Sequence, residues 1–146
     1  MWGYVAFGLA AGAMLPVQAG INAQLATWVG SPIRAALVSF AVGTVALLAL
    51  TLTFFRGWPG AEKVTAAPWW VWLGGLVGAF YVAGAIVVAP KIGAVTLLAV
   101  LLAGQAVASL LIDQWGWVGF DEHPITPGRL LGVILLAAGV ALVRFT

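Results

Sequence analysis

Apolar residues fill this chain in five long blocks, each ended by a short group of glycine, proline or charged residues. Every block is near the roughly 20 residues a helix needs to cross a bilayer. They predict transmembrane helices at about 4–29, 32–55, 69–88, 94–112 and 128–145. Between the first two, Gly30-Ser31-Pro32 reads as a tight turn, with Ser31 suited to an N-cap and Pro32 to the first helical position. The first true polar loop runs from Arg56 to Pro68, and Trp69, Trp70 and Trp72 follow it as an interfacial aromatic belt. Ala89-Pro90-Lys91-Ile92-Gly93 reads as a second short turn. Trp115-Gly116-Trp117 and the acidic Asp121-Glu122-His123 loop separate the last two spans, and Thr126-Pro127 again suits a helix start. No repeat, linker or extramembrane domain interrupts the pattern, so residues 1–146 read as one five-helix domain.

The polar positions inside the blocks carry the chemistry. The stretch from Pro16 to Leu25 puts a proline, two glutamines and an asparagine into the inner half of the first span. In hydrocarbon the proline leaves a backbone carbonyl unpaired and each amide needs a partner, so the stretch faces other helices or a wet cavity. Gln18 and Asn22 are four apart and share a face, extended backwards by Gly8, Ala11, Gly12 and Leu15. Ser39 and Gly43 share a face of the second span, and Gly74, Gly78, Tyr81 and Ala85 form a stripe on the third. Gln105, Ser109 and Asp113 follow at successive i+4 steps on the fourth, a face that grows more polar until it meets a carboxylate. Gly128, Gly132 and Gly139 give the fifth span a small-residue association face, as Gly8 with Gly12 and Gly74 with Gly78 do earlier. The amides have two readings. They are interhelical glue, at about 0.6 kcal/mol each, or they line a site where something polar binds or passes.

Composition removes the remaining classes. Hydrophobic residues make up 64% of the chain and charged residues 7%, more apolar surface than a soluble domain of this length can hide. The mean hydropathy is +1.14. The fold class is therefore all-α and integral to the membrane. There is no cysteine, hence no thiolate or disulfide chemistry, and the formal charge of +2 comes with no basic run that would suggest nucleic acid. The N-terminus lacks a basic leader region and its apolar run outlasts a signal core, so it reads as a mature first helix. His123 is the sole histidine and lies in a polar loop, so no catalytic triad, metal cluster or cofactor site is expected, and an enzyme is not expected.

Five spans put the termini on opposite sides. Arg56, Lys63 and Arg129 then fall on one side and Arg34, Lys91 and Arg144 on the other, a tie. Orientation follows the Lys/Arg bias of short loops, so a tie is what a chain inserting both ways up shows. The alternative is that Arg34 or Arg144 sits too deep to count, leaving a weak fixed orientation. Two copies in opposite orientation form an antiparallel dimer of ten helices, with the inverted symmetry on which many secondary transporters build a midplane site.

Laid out in this order, the chain resembles the short five-helix branch of the drug/metabolite transporter superfamily, the YdcZ type. The matching stretches are Pro16 to Leu25, Gly30-Ser31-Pro32 with Ala36 to Thr44, Leu73 to Ala79, Ala89 to Ala94, and Ala103-Gly104-Gln105 with Ser109 to Asp113. The likeness runs from the first helix to Leu142. It implies an inner-membrane protein moving small metabolites or drugs, as an antiparallel homodimer, with an opposite-topology homologue, or as a ten-helix fusion. The related four-helix multidrug transporters couple protons through a first-helix glutamate. Here that helix carries only Gln18 and Asn22, so proton antiport of that kind does not carry over.

The expected pathway is lined by Gln18, Asn22, Ser39, Tyr81, Gln105 and Ser109, with Asp113 towards one mouth. Amides donate and accept, which suits a polar or zwitterionic solute, and a cation is drawn by Asp113 and aromatic faces. The bland counterparts stay open: Tyr81 as a packing residue, and Asp113 as a helix-terminal anchor. A non-transporting scaffold or a channel is the competing class, though no carbonyl filter or charged ring favours a channel.

Overall fold

The computed structural model describes residues 1–145 except 56 and 58; Arg56, counted above in the charge tie, lies outside the described residues. Among the described residues six α-helices follow in chain order: α1 (Trp2–Val29), α2 (Pro32–Phe54), α3 (Ala61–Thr65), α4 (Gly74–Ile92), α5 (Ala94–Trp115) and α6 (Pro127–Phe145). All but α3 are long and apolar enough to cross a membrane, α4 together with the 3-10 turn Trp69–Leu73 that leads into it. Contacts divide the chain into two compact units, one of Met1–Pro16 with Lys91–Thr146, the other of Val17–Pro90. The boundaries of the second unit follow Pro16 and end on Pro90.

Turn chemistry explains where the helices stop. Gly30 takes φ +74, which only glycine adopts without penalty, and ends α1. Arg34 Nη1 donates to the Val29 carbonyl at 3.3 Å, satisfying one of the orphan acceptors at that helix end. Pro32 opens α2, but Ser31 makes no side-chain capping bond; its extended backbone and its carbonyl, which accepts from Ala35 N–H at 3.0 Å, do the work. Thr126 does cap α6, accepting from Arg129 N–H at 3.3 Å.

The expected turn at 89–93 is much narrower. α4 continues through Pro90 to Ile92, and the break rests on Gly93 alone, at φ +78. Pro90 sits in the last turn, where losing one N–H donor forfeits a single hydrogen bond. α5 runs on to Trp115 instead of ending near Ile112, because the left-handed Gly116 closes it with an N–H to the Ile112 carbonyl. The short α3 lies inside the stretch expected to be only loop, with Glu62 in its first turn and Lys63 in its last, the charge order a helix dipole favours.

In the unit Val17–Pro90 the core is built from small residues. Ala35, Ala36 and Ile86 are buried and pack with Leu25, Ala26, Val29, Val82 and Ala83. Without a hydrophobic driving force between helices in lipid, such close backbone approach is what holds spans together. Farther from this end the Phe40 ring covers Gly78, 3.6 Å from where a Cβ would lie. In the unit Met1–Pro16 with Lys91–Thr146, α5 packs on α6. Thr51 and Thr53 on α2 donate to the carbonyls of Leu47 and Ala49 at 2.8 and 2.7 Å, the way hydroxyls are satisfied inside a span.

The connection after α5 is held in a strained form. A methyl at Gly116 would stand 2.8 Å from Glu122 Cγ and 3.2 Å from the Phe120 oxygen, at φ +59. Val118 adopts φ 53, a left-handed conformation costly for a β-branched side chain. Opposite effects are expected of two substitutions. Gly116→Ala lowers stability by about 1–2 kcal/mol, while Val118→Gly raises it by up to a similar amount. Thermal unfolding in detergent reads both signs, and a stabilised Gly116→Ala would contradict the geometry.

Candidate functional site

The polar positions fall into two groups, one in each unit. In the unit Val17–Pro90, Asn22 is 4% exposed although α1 is apolar almost throughout. It lies one turn before Leu25 and Ala26. Ser39 lies one turn beyond Ala35 and Ala36, and Tyr81 directly precedes Val82; both are half-buried. Each therefore lies within one turn, along its own helix, of a residue that builds the Ala35–Ala36–Ile86 cluster. Asn22, Ser39 and Tyr81 make no side-chain hydrogen bond to the described residues.

Gln18 does not share the burial of Asn22. The two are four apart, but the inward stripe of α1 runs through Ala19 and Asn22 to Ala26 and Val29, which leaves Gln18 on the exposed flank. Gln105 is likewise exposed, half-way along α5. Neither amide has a hydrogen bond within the chain among the described residues. Leaving an amide unpaired in hydrocarbon costs about 2–7 kcal/mol. Water, a solute or further protein must meet them.

In the other unit, the polar face of α5 ends at an ion pair. Arg129 Nη1 donates to Asp113 Oδ2 at 3.2 Å and to the His123 carbonyl at 3.1 Å. His123 N–H donates back to the Asp113 carbonyl at 2.7 Å, and Ile125 N–H to Gln114 Oε1 at 2.7 Å. The loop is thus pinned to both helix ends, and the stacked rings of Trp115 and Trp117, 4.9 Å apart, mark its membrane interface. Each charge opposes the dipole of its own helix. Arg129 stands in the first turn of α6 and Asp113 in the last turn of α5, so each instead complements the facing helix end. The side chains are 40% and 32% exposed, so the pair contributes at most about 1 kcal/mol.

Ser109 and Asp113 face an open groove of 320 Å³ shared with Arg129, Gly132, Val133 and Leu136. Arg129 and Gln114 are partners the sequence reading did not single out. The signal was present: the one acid adjoining a span is followed by an arginine in the first turn of the next helix on the same side. Of the expected packing glycines, a Cβ at Gly78 would meet the Phe40 ring within 4 Å, whereas one at Gly8, Gly12, Gly74, Gly128, Gly132 or Gly139 would meet nothing within 4 Å among the described residues. Among the described residues there is no group of His, Cys, Asp or Glu that could hold a metal ion.

The family described as "Putative inner membrane exporter, YdcZ" matches residues 3–142. The inner membrane protein YdcZ of Escherichia coli (strain K12) is 33% identical over 140 residues, 95% of this chain and 93% of its own. No solved structure matches the chain. With five apolar spans and a match from the first helix almost to the last residue, the chain belongs to the YdcZ family of multi-pass inner-membrane proteins, described as exporters.

Proposed function

We propose that the protein is a secondary transporter that carries a small polar or cationic solute by alternating access, as two copies inserted in opposite orientations. The observation that carries this reading is the pair of mid-span amides, Gln18 and Gln105, exposed and without a hydrogen bond to the described residues. A finished bundle does not leave such groups against lipid. A second set of helices, and a polar path between the sets, removes that cost. The shallow burial of the spans agrees: only 0% to 11% of an 18-residue apolar stretch of each is buried.

In this reading Asn22, Ser39 and Tyr81 form the inner layer of the path, and Gln18, Gln105 and Ser109 extend it. Amide and hydroxyl groups both donate and accept, so the layer meets a solute with mixed polar groups. Asp113 stands at one mouth with Arg129 already beside it. We assign it attraction of solute at that mouth.

Exchange in vesicles tests the proposal. Purified protein reconstituted into liposomes preloaded with unlabelled solute should drive counterflow of labelled tetraethylammonium or glycine betaine. A channel gives entry without counterflow. Uptake of both probes equal to that of protein-free liposomes contradicts the reading.

A further inference from the structure

The seam between the end of α5 and the first turns of α6 holds more hydrogen-bonding groups than the chain itself uses. Both side-chain hydrogen bonds of Arg129 leave from Nη1, so Nε and Nη2 carry none to the described residues. An arginine has five N–H donors in a planar fork suited to phosphate. Asp113 accepts through Oδ2, and Oδ1 is likewise without a described donor. The unsatisfied cation edge and the unsatisfied carboxylate oxygen thus lie side by side at the membrane interface, next to the Trp115–Trp117 stack.

From this pair the groove runs inward past Gly132 and Val133 to Leu136, two helical turns or about 10 Å into the apolar layer. Apart from Ser109 and the ion pair its lining is apolar. Gly132 contributes no side chain, and a Cβ there would meet nothing within 4 Å. A polar, overall neutral head above an apolar channel matches a zwitterionic lipid. We infer that this seam binds a phospholipid whose phosphate takes the free edge of Arg129, whose ammonium donates to Asp113, and whose acyl chain lies along Gly132, Val133 and Leu136. Phosphatidylethanolamine has that chemistry. A choline headgroup has no N–H to donate, and a glycerol headgroup has no cation and adds a net charge that the neutral pair does not favour. The site uses Asp113, which the transport reading places at one mouth, but its test reads lipid binding alone.

Native mass spectrometry of the delipidated full chain in mild detergent tests it, with equal amounts of phosphatidylethanolamine, phosphatidylcholine and phosphatidylglycerol of identical acyl chains. Scored on the single-chain species, phosphatidylethanolamine should be retained about tenfold over the other two, the scale of one charge-assisted hydrogen bond. Asp113→Asn should erase the preference over phosphatidylcholine, and Arg129→Gln should lower retention of all three lipids. Gly132→Leu, which fills the groove and leaves the ion pair in place, should lower retention of phosphatidylethanolamine by a similar factor. Equal retention of the three lipids overturns the inference, as does a preference for the anionic one. So does a Gly132→Leu chain that keeps its lipid and loses only its association with a second copy.

Discussion

Replacing Asn22 by leucine is expected to lower solute exchange at least about tenfold, with the chain still inserted and folded. Leucine is close to asparagine in size and is at home in a helix within lipid, so the packing of α1 against α2 and α4 survives. What disappears is one amide, two N–H donors and a carbonyl acceptor, at a position that is 4% exposed. Counterflow in liposomes reads the exchange, and thermal unfolding in detergent confirms the fold. The competing expectation is equally definite. If Asn22 is only interhelical glue, exchange is unchanged and stability moves by about 0.6 kcal/mol.

The second large effect is expected from charge alone. Ala61→Lys with Ala66→Lys adds two cations to the side that holds Lys63 and Arg129, and so breaks the tie. The positive-inside rule then puts the loop after α2 in the cytoplasm in nearly every copy. A population facing one way cannot form opposed pairs, so exchange should fall at least about tenfold. Trp28→Lys with Ile33→Lys biases the chain the other way; both positions are exposed, at the opposite end of the adjoining helices. Each variant alone should be inactive, and the two expressed together should exchange solute. Full activity of one biased variant by itself contradicts the opposed pair.

The number and placement of spans were legible because bilayer thickness is a single strong constraint, and five apolar blocks meet it. Their ends were less so. A proline in the last turn of a helix, as at Pro90, costs one hydrogen bond and does not compel a stop, so the turn contracted to Gly93. Which face of a span packs was harder still. α1 is apolar all round, so nothing local separates the side of Gln18 from that of Asn22. Burial there depends on where the other helices pack and is a tertiary fact. Gly78 shows the same limit: it is distinguished from Gly74 only by where the Phe40 ring falls. The ion pair of Asp113 and Arg129 was in reach, since both sit at helix ends joined by one loop. The loop's left-handed Val118 was not, because β-branched residues avoid that conformation in isolation and only the pinning of both helix ends holds it there.

Opposite-facing copies in one membrane are the core of this account, and orientation measures them directly. The chain has no cysteine, so Ala61→Cys introduces a single thiol at the exposed start of α3. Intact cells or sealed vesicles are treated with a membrane-impermeant thiol reagent, before and after permeabilisation. About half of the molecules labelled from each side is the predicted result, as the tie in Lys and Arg requires. Labelling from one side alone would contradict the opposed homodimer, and the unpaired amides of Gln18 and Gln105 would then have to be met by a different, oppositely oriented chain.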